Sequence, residues 1–206
     1  MTNVLLSVIA IGVLLLSVIL HEVAHGYTAF RLGDPTARYA GRLTLNPLKH
    51  IDPFGTVILP LLLILARFPY PVGWAKPVPV NPLLLRDPRR GMMLVGAAGP
   101  LSNVSVALVA AMILRTFPVS RVPFLFDLLS IACYLNILLC VFNLVPVPPL
   151  DGSRVVAGLL PPGLRRAYES ITPYGFLIVI GLFYLGLLEK VIIPLSDLIF
   201  SLLVGG

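Results

Sequence analysis

Long apolar runs separated by short polar, proline-rich stretches divide the chain. Val4–Leu20 carries no charge and nothing more polar than Ser7 and Ser17. It predicts a first helix from about Asn3 to Leu32, stopped by Gly33-Asp34-Pro35. Thr36–Asn46 is short, polar and rich in β-formers, which predicts one or two strands. The turn signals of NPLKHIDPFG, Asn46–Gly55, follow. Thr56–Ala66 is apolar but eleven residues long. At ~1.5 Å per residue it reaches about half of a ~30 Å hydrocarbon core, so it predicts a re-entrant segment. Arg67–Arg90 reads as a surface loop, with Tyr70 and Trp74 as interface anchors and Lys76, Arg86, Arg89 and Arg90 as surface anchors. Gly91–Leu114 and Phe124–Leu144 predict two further full-length spans. The second runs into NLVPVPPLDG, Asn143–Gly152, whose prolines forbid a regular helix. A short helix over Ser153–Leu160 and two apolar segments, Pro173–Leu188 and Val191–Val204, complete the pattern. The expected fold is an all-α polytopic membrane protein. About five membrane-spanning helices, a short re-entrant segment and a small surface β/loop region make it up. Residues 1–206 form one domain, with its core over 3–160 and a C-terminal helical pair over 173–204.

Composition agrees: 58% of the 206 residues are hydrophobic and 12% charged, against about 25% charged in soluble domains. The net charge of +6 does not point to nucleic acid, because the basic residues are spread over short loops. In a membrane protein such charges set orientation. If Thr56–Ala66 returns to the side it left, twelve Lys and Arg residues share a face with the loop after His25. Only Arg115, Arg121 and Lys190 lie opposite, which puts that face in the cytoplasm and the protein in the cell membrane. Cys133 and Cys140 lie on one face of one apolar helix, cannot pair there, and read as packing residues. The N-terminus lacks a basic n-region and cleavage site, so Val4–Leu20 reads as a retained helix.

The chemistry lies in HEVAHGYTAFR, His21–Arg31. On a helix His21 and His25 stand one turn apart on one face and can share a metal ion. Glu22 is on the adjoining strip, placed to act on a bound water. Three ionisable groups in so apolar a helix demand a reason. The bland alternative is two core histidines bonded to carbonyls, with Glu22 paired to an arginine. Asp151 has two readings, a helix N-cap and a third ligand. The histidine pair in the same membrane favours the ligand, since two His and one carboxylate on Zn²⁺ leave a fourth position for water. His50 reads as an interfacial loop residue and Asn103 as a helix-packing hydrogen bond.

HEVAHGYTAFRLGD together with FNLVPVPPLDG resembles the site-2 protease family of intramembrane zinc metalloproteases, and AGPLSN (Ala98–Asn103) matches a third family element. The resemblance implies one zinc ion on His21, His25 and Asp151, with Glu22 as general base. It also implies that Asn143 helps to hold the reacting group. No PDZ insertion is present, so the chain resembles the minimal subgroup. The implied activity is hydrolysis of a peptide bond in or near transmembrane segments of membrane proteins within the lipid bilayer. The substrate could be held extended by strand addition to an edge over Thr36–Asn46. Two rivals are a membrane metal transporter and a catalytically silent scaffold. The first needs a relay of polar ligands that the chain lacks, and the second usually loses the glutamate that is intact here.

Overall fold

The computed structural model describes residues 2–65 and 75–205. Three helices carry the architecture: α1 (Thr2–Arg31), α4 (Pro88–Thr116) and α5 (Pro123–Asn143). Each is long and apolar enough to cross a membrane. Two small helices, α2 (Thr36–Tyr39) and α3 (Leu59–Leu65), lie between α1 and α4. Beyond α5 come α6 (Asp151–Leu159), α7 (Pro162–Glu169), α8 (Gly175–Tyr184) and α9 (Ile193–Val204).

The span boundaries follow the stop signals. Asp87 caps α4 by accepting from Arg90 N at 3.0 Å, and Pro88 opens the helix where a missing N–H costs nothing. α4 is central, packing on α1, α5, α6 and α9. Its contact with α5 is built from Ala107, Ala110 and Ala111 against Cys133 and Ile137, with Ile199, Phe200 and Leu203 of α9 behind. Small side chains let helices approach closely where lipid supplies no hydrophobic drive of its own. Both cysteines are free and buried, Cys133 within this cluster. The opposite surfaces are apolar too: Val4, Val8, Ile11 and Leu15 of α1 all point outward. Such a face belongs in lipid, and the protein is an integral membrane protein.

Four expectations change in detail. The described residues contain no strand, and Thr36–Asn46 opens with α2 instead. The side chain of Asp34 accepts from both N and Oγ1 of Thr36, and this local turn wins over the β-propensity of the stretch. The proposed substrate-binding edge there is therefore absent. Among the described residues three helices are long and apolar enough to cross, or four if the C-terminal segments count as one bent pair, beside the expected number of about five. α8 and α9 are 10 and 12 residues, too short to cross alone, and the segments Pro162–Tyr184 and Glu189–Val204 meet at 66°. Gly186, at φ +84°, supplies a turn that other residues rarely adopt. Arg89 is more than a surface anchor, because it donates to Gly158 O at 2.9 Å and to Leu160 O at 2.6 Å, closing the end of α6.

The stretch containing Thr56–Ala66 is helical through Leu65, a π-turn over Pro53–Ile58 leading into α3. Tyr70 and Trp74 lie outside the described residues. The chain reappears beside its point of departure: Lys76 N donates to His50 O at 2.9 Å.

Candidate metal centre

His21 and His25 occupy successive turns of α1, and α4 and α6 close over them. Their Nε2 atoms are 2.9 Å apart. Asp151 Oδ2 lies 3.0 Å from His21 Nε2 and 3.1 Å from His25 Nε2. All three side chains are buried. Asp151 is the first residue of α6, one position past the N-cap Leu150, and its carboxylate is turned to the histidines. Arg154 Nη1 sits 3.3 Å from the other oxygen, Oδ1.

The outer ring nitrogens decide what the inner ones do. His25 Nδ1 is 2.6 Å from Val95 O, a carbonyl that can only accept, so Nδ1 carries the proton. His21 Nδ1 donates to Asn103 Oδ1 at 2.7 Å. The orientation of that amide is fixed from behind. Asn136 Nδ2 donates to Ala132 O and to Ser17 Oγ, both at 2.8 Å, which leaves Asn136 Oδ1 to accept from Asn103 Nδ2, also at 2.8 Å. Asn103 Oδ1 therefore faces His21. With Nδ1 carrying a proton on each ring, Nε2 is the nitrogen that a neutral imidazole offers to a metal, and both Nε2 atoms are directed with a carboxylate oxygen at one point.

Three acceptors about 3 Å apart repel unless a cation lies among them. Ligands at ~2.0–2.1 Å from a tetrahedral Zn²⁺ stand about 3.3 Å from one another, within a few tenths of an ångström of this triangle. Room is kept for the ion by Gly99. A Cβ built there would come 2.4 Å from His25 Nε2 and 2.6 Å from His21 Nε2. Among the described residues, His21, His25 and Asp151 are the one group of three or more His, Cys, Asp or Glu side chains that could hold a metal.

Glu22, beside His21, accepts from Val78 N at 2.8 Å through Oε2, so its partner is a backbone amide and not the arginine of the bland reading. Asn143 ends α5, and its Nδ2 donates to Leu139 O of the same helix at 2.9 Å. No hydrogen bond joins Asn143 to the cluster among the described residues. His50 is a loop residue, but a buried one, with Nε2 bonded to Thr44 O at 2.8 Å. Sequence reasoning missed the work of Asn103 and Asn136. A signal was present, since a polar amide inside each of two membrane spans needs a partner.

Comparison with known proteins gives the family. The profile of peptidase family M50 matches residues 119–185. A Bacillus subtilis (strain 168) protein named "Putative zinc metalloprotease YwhC" is 40% identical over 191 residues, 89% of this chain and 84% of its own length. "Putative zinc metalloprotease Rip2" of Mycolicibacterium smegmatis is 33% identical over 82% of this chain, which spans 63% of that protein. "Zinc metalloprotease MJ0392" of Methanocaldococcus jannaschii is 25% identical over 78% of this chain and 37% of its own length. No solved structure matches. Zinc is the cofactor and peptide hydrolysis the activity: the chain belongs to peptidase family M50, the site-2 proteases.

Proposed function

We propose that this protein is a zinc-dependent endopeptidase acting inside the bilayer on transmembrane segments of membrane proteins. The observation that carries the reading is the convergence of His21, His25 and Asp151 on one point, with a glutamate at the next position of the same membrane helix. The histidines would hold zinc through Nε2 and Asp151 through Oδ2. His21 is ten residues, about 15 Å of helix, from Arg31 at the end of α1, which supports hydrolysis below the membrane surface. Zinc, when bound, supplies Lewis-acid chemistry, polarising a carbonyl and acidifying water.

The chain's own residues do the rest. Glu22 accepts the proton of the attacking water at a carboxylate oxygen and passes it to the leaving amine. Asn143, at the end of α5, is proposed to swing its amide N–H from Leu139 O towards the developing oxyanion. The substrate helix must unwind locally, because a helical peptide bond is shielded by its own hydrogen bonds. The excess of basic residues on the face holding Arg31, Arg86, Arg89 and Arg90 supports a cytoplasmic catalytic side in the cell membrane. A transporter would need further ligand sets along a path, and the described residues offer only this one.

The test measures zinc content and cleavage of membrane-segment fusions on the same purified preparation. Glu22→Gln should keep zinc and lose hydrolysis, and Asn143→Ala should keep zinc and lower turnover ~10²–10³-fold. Substantial cleavage by Glu22→Gln removes the base, and an effect of Asn143→Ala confined to substrate affinity removes the oxyanion role.

A further inference from the structure

Two buried charged residues, Arg42 and Asp34, take no part in the proposed chemistry. Both grip one extended segment, Lys76–Asn81. At its start Arg42 donates through Nη2 to Lys76 O and to Pro77 O, the latter at 3.1 Å, and through Nη1 to Lys49 O. At its end Asp34 Oδ2 accepts from Asn81 N at 2.6 Å. The middle lies on α1. Val78 is buried so tightly against Gly26 that a Cβ there would come 2.6 Å from Val78 Cγ1. Gly26 is one turn beyond Glu22, so Val78 sits beside the glutamate. Its N–H meets Glu22 Oε2 at 2.8 Å. Pro77 and Pro79 have no N–H, which makes Val78 the single backbone donor between Lys76 and Val80.

We infer that Arg42 is a positioning residue for the general base, acting through this strap: it clamps the carbonyls before Val78 so that the Val78 N–H fixes the rotation of the Glu22 carboxylate. A free glutamate side chain samples many rotamers. With Oε2 tied to a backbone amide, Oε1 is left as the oxygen that meets the water, pre-set at little entropic cost. The guanidinium fork suits the task, since one planar group reaches several carbonyls that a lysine could not bridge together. The proposal rests on Glu22 being the base.

The experiment compares Val78→Pro with Val78→Ala in the full chain. Both lose side-chain packing, but only proline deletes the N–H, and position 78 already precedes a proline and so favours extended backbone. With zinc content equal in both, Val78→Pro should show kcat about tenfold to a hundredfold below Val78→Ala at similar KM. Arg42→Gln should lower kcat in the wild-type background and add little in the Val78→Pro background, because both remove one device. Arg42→Lys should recover part of the loss. Equal kcat for the proline and alanine variants overturns the proposal, as does full additivity of Arg42→Gln with Val78→Pro. Glu22→Gln, assayed alongside, separates the two readings. If it stays active the base is wrong, whereas if it is dead while the valine variants agree, only the strap is wrong.

Discussion

Asn103 offers the sharpest test of how the metal centre is built. Replacing it by leucine keeps the branching and number of side-chain heavy atoms and removes both hydrogen bonds of a fully buried amide. His21 Nδ1–H and Asn136 Oδ1 are then left buried without partners. Each such loss costs about 1–3 kcal/mol, so the metal-free protein should lose roughly 2–6 kcal/mol of stability. The zinc effect is separate. Partners that fix a ligating histidine are worth about 10–100-fold in metal affinity. Asn103→Leu frees the His21 ring to turn and to carry its proton on either nitrogen, so zinc should bind weaker by that factor. Asn103→Asp is the contrast. A carboxylate still accepts from His21 Nδ1 and raises its basicity, but it cannot donate to Asn136. It should keep zinc affinity near wild type while still losing stability. Competition against a chromogenic chelator in detergent reads the affinity, and melting in excess chelator reads the metal-free stability. If Asn103→Leu binds zinc within about twofold of wild type while melting lower, Asn103 is a packing residue only.

Three further outcomes follow from the geometry. Gly99→Ala places a methyl group against both Nε2 atoms and should abolish stoichiometric zinc binding; full zinc content by metal analysis would refute the close approach of α4. Asp151→Asn should weaken zinc binding without loosening α6, since Leu150 and not Asp151 holds the N-cap position, and unchanged zinc affinity would remove Asp151 from the ligand set. Burial raises the pKa of Asp34, but the hydrogen bonds from Thr36 and Asn81 outweigh it and leave the pKa lowered. Its contribution to stability is therefore complete above the unfolded value near ~3.9 and lost as pH falls through the folded one. Melting temperature against pH should drop less steeply below about pH 4 in Asp34→Asn than in wild type, and identical curves would show that Asp34 contributes nothing.

The sequence by itself determined the spans and the histidine pair. Uninterrupted apolar runs ended by Gly33-Asp34-Pro35, Asp87-Pro88 and the prolines after Asn143 place α1, α4 and α5 within a few residues of their observed ends. A spacing of four brings His21 and His25 together on any α-helix, with no tertiary information. Asp151 could be joined to them only by chemical need, because periodicity shows which face of an element is apolar and not which element lies opposite. Tertiary structure decided the rest. It turned the Asp151 carboxylate from a cap into the cluster, and it tied the local turn at Asp34 to the distant Asn81 N–H. It bent the C-terminal segments at Gly186. It also gave Asn103, Asn136, Arg42 and Val78 distant partners, 33 to 119 positions away in the chain. Such contacts leave no local pattern. Their one trace in the sequence is a cost, a polar group where burial leaves it no water, and only the folded chain shows what offsets it.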